Sequence, residues 1–363
     1  MSDFIIGFFA SWLIYALLLA LHIMLPARKV TGYVRDPSRG QPLSYRLNGP
    51  FVLAVAVGLW VLAGRSGLLS WDWLYHHRWS GLAGSCALGL VFSFAVVLPA
   101  GRSGRSLLSD LYLGRRENPQ YFQGRVDAKV FLYLAGATML TLNLLSFLAH
   151  HLLTFGMGGT YNPGVVLYCC LFFWFVIDYI VFEQVHLYTY DFVAENVGFK
   201  LGWGCLTFYP YFYAVGLWAT VERPNPHTPG WLLILFTCIF FAGWTLSRGA
   251  NLQKYFFKTR PGRAFLGILK PGTVTDGTNS LLGSGFWGVS RHVNYLGEML
   301  MAIGLTLALG RPTVWIVWLY PLYYVGLLIS RERADERRCA AKYGALWEEY
   351  VRRVPKRIIP GLY

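Results

Sequence analysis

The chain has 363 residues, of which 55% are hydrophobic and only 14% are charged, and its formal net charge is +14. Soluble domains usually carry about 25% charged residues, so the composition excludes an ordinary soluble globular protein and favours lipid as the environment. We see no basic soluble module that would bind nucleic acid. We therefore attribute the positive charge to membrane topology and to contact with anionic lipids.

Apolar runs that approach the roughly 20 residues needed to cross a bilayer recur along the chain. We predict an all-α, polytopic integral membrane protein with nine spanning helices, and a tenth if the ambiguous stretch 182–196 also crosses. The nine lie near residues 4–25, 51–69, 81–98, 130–153, 164–181, 201–221, 231–246, 295–309 and 314–329. The first run has no basic n-region and no clear cleavage site before Arg28, so we interpret it as a retained helix rather than a signal peptide.

Lys and Arg are concentrated in alternate connecting segments. Residues 26–49, 100–129, 184–200, 248–292 and 331–363 contain 28 of the 32 Lys and Arg residues. With nine spans, all five segments fall on one face, which the positive-inside rule makes cytoplasmic. This places the N-terminus outside and the C-terminus in the cytoplasm, and a bacterial inner membrane and the endoplasmic reticulum fit equally.

No linker and no internal repeat divides the chain, so we predict one integral membrane domain over residues 1–363. Residues 1–99 have few polar residues inside their spans and are interpreted as scaffold, whereas residues 100–363 carry the polar motifs. The six cysteines show no metal-ligand or redox spacing. We therefore predict neither a disulfide nor a metal site.

Acidic residues interrupt an aromatic segment in the middle of the chain. Asp178 and Glu183 lie among Phe, Trp, Ile and Val, and Asp191 follows within the same segment. Carboxylates at membrane depth usually face a cavity or a partner. If residues 182–200 instead form a loop or an interfacial helix, these acids are simply solvated, and the sequence leaves both interpretations open.

Two polar segments then follow on the predicted cytoplasmic side. Lys254 and Lys258 are four residues apart, so a helix places both on one face. Two cations there suit a phosphate, although basic residues flanking a span have the same pattern. The glycine-rich loop 281–295 presents Trp287, Asn294 and Tyr295, which suits a flat ligand but also an ordinary turn between spans.

The basic tail is the third polar segment. Arg331, Asp335, Cys339, Lys342 and Tyr343 recur at helical spacing, so they form one face where the chain leaves the membrane. Arg331 and Asp335 on their own are equally consistent with a solvated ion pair of low energy.

In combination these motifs resemble the sterol reductase family, which includes the delta-14, delta-7 and delta-24(28) enzymes and the membrane part of the lamin B receptor. The resemblance covers residues 100–363 and is carried by Asn-x-Gln-Lys, Gly-Phe-Trp-Gly-x-x-Arg-His-x-Asn-Tyr, Arg-x-x-x-Asp-x-x-x-Cys-x-x-Lys-Tyr-Gly, Trp-x-x-Tyr and Val-Pro-x-Arg. It implies a sterol substrate and NADPH as hydride donor. The opening Gly-Phe-Trp-Gly-Val without proline is more similar to delta-7 than to delta-14 reductases, so we expect delta-7 reduction ahead of delta-14.

The resemblance also implies roles for individual residues. The residues implied to bind NADPH are Lys254, Lys258, Leu282, Trp287, Asn294, Tyr295, Arg331, Asp335, Cys339, Lys342, Tyr343 and Tyr350. Lys258 replaces the family's usual Arg. An isolated ring double bond cannot accept hydride directly, so the expected reaction is protonation followed by hydride transfer, with a desolvated carboxyl as the proton donor. The candidates for this acid or its relay are Glu183, Asp178, Asp191, Tyr213 and Asp335.

Two alternatives stay open at this stage. Isoprenylcysteine carboxyl methyltransferases also combine an Arg-His-x-x-Tyr loop with a charged tail helix, around S-adenosylmethionine instead of NADPH. The residues that favour a reductase are Asn251-Leu-Gln-Lys254, Arg331 and Asp335. The second alternative is a non-catalytic sterol-binding protein similar to the lamin B receptor, and the lack of an added nucleic-acid-binding domain before the first span counts against it.

Overall fold

Helices make up most of the chain in the computed structural model, which describes residues 2–36 and 40–363. Five of these helices are long and apolar enough to cross a membrane: Ser2–Met24, Arg78–Val97, Ala128–Phe155, Pro163–Val181 and Gly230–Thr259. Gly49–Arg65 and Val293–Ala308 are apolar but shorter. The helical membrane fold is thus confirmed, whereas the predicted nine to ten spans are not.

The chain divides into an N-terminal unit, Met1–Pro226, and a C-terminal unit, His227–Tyr363.

The N-terminal unit is built around one central helix. In chain order its elements are α1 Ser2–Met24, β1 Arg28–Arg35, β2 Pro42–Leu47, α2 Gly49–Arg65, α3 Trp73–His76, α4 Arg78–Val97, α5 Leu107–Leu113, β3 Gln120–Tyr121, β4 Val126–Asp127, α6 Ala128–Phe155, α7 Pro163–Val181, α8 Glu183–His186, α9 Tyr190–Val193, α10 Phe199–Trp203, a π-helix Gly204–Phe212 and α11 Val215–Thr220. The strands form antiparallel pairs, β1 with β2 and β3 with β4. The central helix is α6, in which Leu132, Met139 and Leu144 are fully buried.

Helices α6 and α7 of this unit begin at side-chain caps. Asp127 Oδ1 accepts hydrogen bonds from the backbone N–H groups of Lys129 and Val130, at 3.0 and 3.1 Å. Asn162 Oδ1 accepts the N–H of Gly164 at 2.8 Å, and Pro163 occupies the first turn of α7. Such caps satisfy donors that have no partner within the helix and contribute about 1 kcal/mol each.

Residues 201–221 do not form the single regular span that their hydropathy predicts. The chain instead passes from α10 into the π-helix and then into α11. Pro210 lies inside the π-helix and cannot donate a backbone hydrogen bond. Contacts from neighbouring helices stabilise this irregular backbone: Asn143 donates to the Pro210 carbonyl at 2.9 Å, and Thr207 donates to the Ser85 carbonyl at 2.9 Å.

The ambiguous stretch 182–196 does not form a tenth span. It folds as the two four-residue helices α8 and α9, joined by turns. The buried side chain of Lys129 holds α9 in place, because its Nζ donates to the carbonyls of Asp191 and Phe192 at 2.7 and 3.1 Å. A charge at this depth is tolerated when it is paired with backbone oxygens.

The C-terminal unit consists of long helices joined by a polar hairpin and loops. Its elements are α12 Gly230–Thr259, β5 Thr273–Thr275, β6 Ser280–Leu282, α13 Phe286–Val289, α14 Val293–Ala308, a 3₁₀-helix Trp315–Trp318, α15 Leu319–Tyr343 and α16 Ala345–Arg353. β5 and β6 pair as an antiparallel hairpin. Helix α15 continues without a break from the apolar stretch predicted as the last span into the charged tail, and Gly344, with φ +51°, separates it from α16.

Helices α12 and α14 approach each other closely through glycines. A Cβ atom at Gly297 would lie 2.5 Å from both the Gly243 carbonyl oxygen and the Ser247 nitrogen, and one at Gly304 would lie 2.9 Å from the Phe236 carbonyl oxygen. Small residues allow membrane helices to pack backbone against backbone. The hydrogen bond from Ser247 Oγ to Glu298 Oε1, at 2.6 Å, adds a polar link between the same helices.

Candidate functional site

The glycine-rich loop of the C-terminal unit is fixed to the end of α12 by Gln253. Its Nε2 donates to the Ser284 carbonyl at 3.2 Å, and its Oε1 accepts the backbone N–H of Phe286 at 3.0 Å. Gly285 has φ +63°, and a Cβ there would lie 2.2 Å from Gln253 Nε2. Glycine is therefore needed at this position both for the backbone conformation and for the close approach.

Lys254 and Trp287 lie side by side in this part of the unit. Lys254 Nζ is 5.3 Å from the centroid of the Trp287 ring, within the range of a cation–π interaction. The indole N–H of Trp287 donates to the Ala250 carbonyl at 2.8 Å, which fixes the orientation of the ring. Lys254 therefore lies next to an indole ring whose orientation is fixed by a hydrogen bond to the backbone.

The segment that follows the loop is joined to the end of the chain by backbone and side-chain hydrogen bonds. The backbone N–H groups of Arg291 and His292 donate to the carbonyls of Lys356 and Arg357, at 2.9 and 2.8 Å. Ser290 Oγ donates to the Ile358 carbonyl at 2.9 Å. The loop and the tail, which the sequence predicts on one side of the membrane, are therefore in direct contact.

Arg291 reinforces this contact from a buried position. Its Nε is 2.6 Å from Glu336 Oε1, and its Nη1 donates to the carbonyls of Val354 and Pro355 at 2.8 and 2.9 Å. The side chain is only 3% exposed. A single guanidinium thus connects the loop, α15 and the segment after α16.

His292, Asn294 and Tyr295 lie at the start of α14. The rings of His292 and Tyr295 are stacked, with centroids 4.9 Å apart. Burial, and then the charges of Lys254, Arg291 and Arg357, lower the pKa of His292 to about 3, so the imidazole is neutral. Within the described residues, His292 Nε2 and Asn294 Oδ1 are buried without a hydrogen-bond partner. Buried polar atoms without partners are uncommon in native proteins and are consistent with a ligand site.

The tail helix contributes a carboxyl and a thiol. Burial raises the pKa of Asp335, while the charges of Lys254 and Arg338 oppose this shift. Burial and the neighbouring Asp335 raise the pKa of the Cys339 thiol to about 12, so it is not a reactive thiolate. These couplings bring Lys254, Asp335 and Cys339 into one electrostatic cluster.

An apolar cluster supports this part of the tail. It consists of the buried residues Val274, Leu346, Trp347, Tyr350 and Val354, with Leu281, Cys339, Tyr343 and Val351 packed against it. Burial raises the pKa of the Tyr350 hydroxyl. The cluster therefore joins the hairpin β5–β6 to helices α15 and α16.

All twelve residues that the resemblance implies for cofactor binding lie in the C-terminal unit. The contacts described above join only some of them. Lys254, Trp287, Asp335 and Cys339 are linked by the contacts above, and Cys339 joins Tyr343 and Tyr350 in the apolar cluster. Leu282 is buried at the end of β6. Lys258 and Lys342 are exposed, with their ammonium groups over the neighbouring rings of Phe257 and Tyr343. Arg331 is half-buried on α15.

Four of the five predicted acid or relay residues lie in the N-terminal unit, and Glu183 has the most defined surroundings. Both of its carboxylate oxygens accept the backbone N–H of Gly49, at 3.1 and 3.2 Å, so Glu183 caps the N-terminus of α2. Burial raises the pKa of Glu183 to about 7, against the opposing effects of the Gly49 hydrogen bond and the Arg28 charge. The carboxyl is thus partly protonated near neutral pH.

Glu183 also lines a cavity in the N-terminal unit. The cavity is bounded by Leu47, Val130, Tyr133, Leu134, Tyr179, Ile180, Glu183, His186 and Phe192. Asp178, Asp191 and Tyr213 are not among the described residues that line it. Asp178 is half-buried on α7, Asp191 uses its carbonyl to bind Lys129, and Tyr213 follows the π-helix with its ring 4.7 Å from that of Tyr209. Asp335, the fifth candidate, belongs to the C-terminal unit.

Four residues of the site have no role that the resemblance implies: Gln253, Arg291, His292 and Glu336. The first three fall within the quoted motifs Asn-x-Gln-Lys and Arg-His-x-Asn-Tyr, so the motifs contained a signal for them. Glu336 lies one residue beyond Asp335 and had no signal of its own, because its importance depends on the ion pair with Arg291.

Comparison with known proteins places these motifs in context. The family model described as the ergosterol biosynthesis ERG4/ERG24 family matches residues 4–363. The Delta(14)-sterol reductase of Arabidopsis thaliana is 32% identical over 94% of this chain and 91% of its own length. The Delta(14)-sterol reductase of Methylotuvimicrobium alcaliphilum is 31% identical over 98% of this chain and 83% of its own length. Delta(14)-sterol reductase ERG24 of Saccharomyces cerevisiae is 31% identical, with coverages of 96% and 82%.

Proposed function

Because the chain belongs to the ergosterol biosynthesis ERG4/ERG24 family, we propose that it is a membrane-bound enzyme that reduces a ring double bond of a sterol with NADPH. One arrangement in the C-terminal unit carries the proposal. Lys254 is held next to the face of Trp287 and within electrostatic range of Asp335, close to the start of a helix whose Asn294 has an unsatisfied buried oxygen.

The chemistry of these residues fits NADPH. An ammonium group binds phosphate as a point charge, an indole face accepts a flat ring, and Asn294 Oδ1 can accept an N–H from a carboxamide. Lys254, Trp287, Asn294, Tyr295, Arg331 and Asp335 would form the core of the pocket. Leu282, Cys339, Tyr343 and Tyr350 would support it, and the exposed Lys258 and Lys342 would contribute positive charge. When bound, NADPH supplies the hydride.

The proton would come from a carboxyl, and Glu183 is the first candidate. Its pKa of about 7 allows it to be protonated near neutral pH, and most of the residues that line its cavity are apolar or aromatic. A raised pKa in an apolar environment is typical of carboxyl groups that act as general acids. Asp178, Asp191, Tyr213 and Asp335 stay as members of a possible relay.

We propose the delta-14 bond as the first substrate position to test, because the relatives described above bear the name Delta(14)-sterol reductase. The expectation of delta-7 reduction depends on the Gly-Phe-Trp-Gly-Val sequence alone. That sequence forms the whole of α13 and the Gly285 that precedes it, and no described contact of these residues distinguishes one ring position from another.

The experiment that tests the function is product analysis. Membranes that contain the protein are incubated with NADPH and, separately, with delta-7, delta-14 and delta-24 sterols, and the products are identified by mass spectrometry. We expect the wild type to saturate one ring double bond. The Asp335→Asn variant is the internal control and should give no saturated product. If none of the sterols is reduced while the protein still binds sterol, the non-catalytic alternative replaces this proposal.

A ligand comparison separates the reductase from the methyltransferase. NADPH is expected to raise the midpoint of thermal unfolding of the purified protein, because a ligand that binds only the folded state stabilises it. Stabilisation by S-adenosylmethionine alone would reject the reductase function.

We further propose that the polar end of the C-terminal unit faces the cytoplasm. The test is to introduce a cysteine at the exposed position of Lys258 and to measure from which side of the membrane it is labelled.

A further inference from the structure

We propose that Asp72, His76 and His150 form a binding site for a divalent transition-metal ion, with Zn²⁺ as the best match, in the N-terminal unit. Asp72 Oδ2 lies 2.9 Å from His76 Nε2 and 3.0 Å from His150 Nδ1. One donor atom from each of the three residues lies within 4.8 Å of the others. A tetrahedral zinc ion with bonds of about 2.0–2.2 Å separates its ligand atoms by about 3.3 Å, so each imidazole nitrogen needs to move away from Asp72 Oδ2 by only a fraction of an ångström.

The three ligands are held by packing that does not depend on a metal. Tyr75, which is buried, stacks on the ring of His150 with centroids 3.6 Å apart. The backbone N–H of Tyr75 donates to Ser146 Oγ, one turn before His150 on α6, at 3.0 Å. Helix α3 is therefore fixed against α6, and His76 and His150 face the same carboxylate from two elements.

The donor set selects the kind of ion. Two imidazole nitrogens and one carboxylate oxygen suit Zn²⁺ or a similar transition metal, whereas Ca²⁺ and Mg²⁺ prefer sites made of oxygen ligands. The His76 side chain is 56% exposed, while those of Asp72 and His150 are largely covered. The exposed side provides an entry path and room for water as a fourth ligand. A metal there would replace the N–H protons that now lie between the carboxylate and the imidazoles.

The position of the cluster indicates a structural role. Val130 and Glu183 share a cavity near the start of α6, and His150 follows 20 residues later on the same helix. At 1.5 Å per residue this separates the metal site from Glu183 by about 30 Å. An ion at this distance cannot take part in proton transfer from Glu183, but it would join α3, and thus the connection between α2 and α4, to the far end of α6.

A second cluster in the C-terminal unit shows why three suitable side chains are not sufficient. His292, Glu332 and Glu336 also present donor atoms within 4.8 Å of one another. Glu336 is already paired with Arg291 at 2.6 Å, and Glu332 with Arg357 at 3.5 Å. These positive charges disfavour a further cation. At Asp72, by contrast, the side chains paired with the carboxylate are the two imidazoles that would themselves bind the metal.

Zinc binding to the purified full chain tests the proposal. The protein carries a tag without histidines, is stripped with a chelator and is then titrated with Zn²⁺, and bound metal is counted by elemental analysis. We expect one Zn²⁺ per chain and a rise in the unfolding midpoint. Binding of Co²⁺ should give the absorption spectrum of a four-coordinate site.

Two variants make the outcome decisive. His76→Gln changes an exposed side chain, so the metal-free variant should unfold at the wild-type temperature but bind Zn²⁺ at least tenfold more weakly. Asp72→Asn should abolish binding. His227→Asn is the control, because His227 is an exposed histidine outside the cluster, and its positive φ suits asparagine. Equal Zn²⁺ affinity in His76→Gln and His227→Asn, or no stoichiometric binding to the wild type, would overturn the proposal.

Discussion

Arg291 and Glu336 form a largely buried ion pair that connects the glycine-rich loop to the tail helix, with Nε and Oε1 2.6 Å apart and side chains 3% and 17% exposed. The remaining hydrogen bonds of the guanidinium go to backbone carbonyls of Val354 and Pro355. The pair therefore holds the glycine-rich loop against the tail helix, and these two segments contain most residues of the proposed cofactor pocket.

We expect Arg291→Ala to destabilise the protein strongly, because the change leaves the Glu336 charge and two carbonyls without their partner. Removal of one member of a buried ion pair costs about 3–5 kcal/mol. Thermal unfolding in detergent measures the effect. Arg352→Ala is the matched control, since Arg352 pairs with Glu349 on an exposed surface, where loss of a pair costs about 0–1 kcal/mol. Similar shifts in the two variants would contradict the structural role of Arg291.

Glu183→Gln should fold but fail to reduce sterol. The amide oxygen of glutamine can still accept the N–H of Gly49, so the cap of α2 is kept, whereas the acidic proton is lost. Glu183→Ala removes the cap as well and should lower stability by about 1 kcal/mol. Sterol reduction and unfolding are measured on both variants. Wild-type turnover in Glu183→Gln would exclude this residue as the proton donor.

The pH dependence should carry the signature of the same group. Burial raises the pKa of Glu183 from 4.5 to about 7, so the folded protein binds this proton more tightly than the unfolded chain does. The associated stability is fully present below pH 4.5 and is lost as the pH rises through about 7. The unfolding midpoint of the wild type should therefore fall relative to that of Glu183→Gln over this range, and reductase activity should decline above about pH 7. Parallel pH profiles of the two proteins would argue against the raised pKa.

Lys254→Ala should weaken NADPH binding more than Lys258→Ala does. Lys254 is half-buried beside Trp287 and near Asp335, whereas Lys258 is exposed. An ion pair in a partly buried environment is screened less by solvent than one at the surface. Asn294→Ala should also weaken binding, by about five- to tenfold, which corresponds to the loss of one hydrogen bond of about 1–1.5 kcal/mol. Equilibrium titration with NADPH provides all three affinities, and equal values for the two lysine variants would contradict the assignment.

Gly297→Ala should destabilise the C-terminal unit. Its new methyl group would lie 2.5 Å from the Gly243 carbonyl oxygen and from the Ser247 nitrogen, so α12 and α14 would have to move apart. Overpacking of this kind costs about 1–3 kcal/mol. Gly326→Ala on α15 is the control, because a Cβ at that position has no neighbour within 4 Å. An unchanged unfolding midpoint for Gly297→Ala would mean that the two helices do not pack this closely.

Much of the fold was predictable from local patterns. The apolar runs at 130–153 and 164–181 became α6 and α7, and the side chains that cap them precede the runs directly. The resemblance to the sterol reductase family implied that Lys254, Trp287 and Asp335 belong to one site, and the structure places Lys254 near both Trp287 and Asp335. Local patterns failed at 201–221, where the hydropathy indicates a span. The π-helix there depends on hydrogen bonds from Asn143 and to Ser85, which lie far away in sequence.

Roles that depend on distant partners were not predictable. Glu183 was identified by its acidic character, but its function as a cap for α2 depends on Gly49, which lies 134 residues earlier. Arg291 and Gln253 lie within the quoted motifs, but the motifs do not show which groups they contact. Their importance follows from backbone groups that only the folded chain brings near, and a propensity or a periodicity cannot encode such a pairing.

The contact between Ser290 and the Ile358 carbonyl has a consequence for the order in which the protein matures. The two residues are 68 positions apart, and chains are synthesised at about 5–20 residues per second. The loop therefore stays open for about 3–14 s after Ser290 is made, until its partner has left the ribosome. Arg291 likewise has no partner until Glu336, 45 residues later, has been made. A chain that ends before residue 336 lacks Glu336, so in such a chain Arg291 cannot form its buried ion pair.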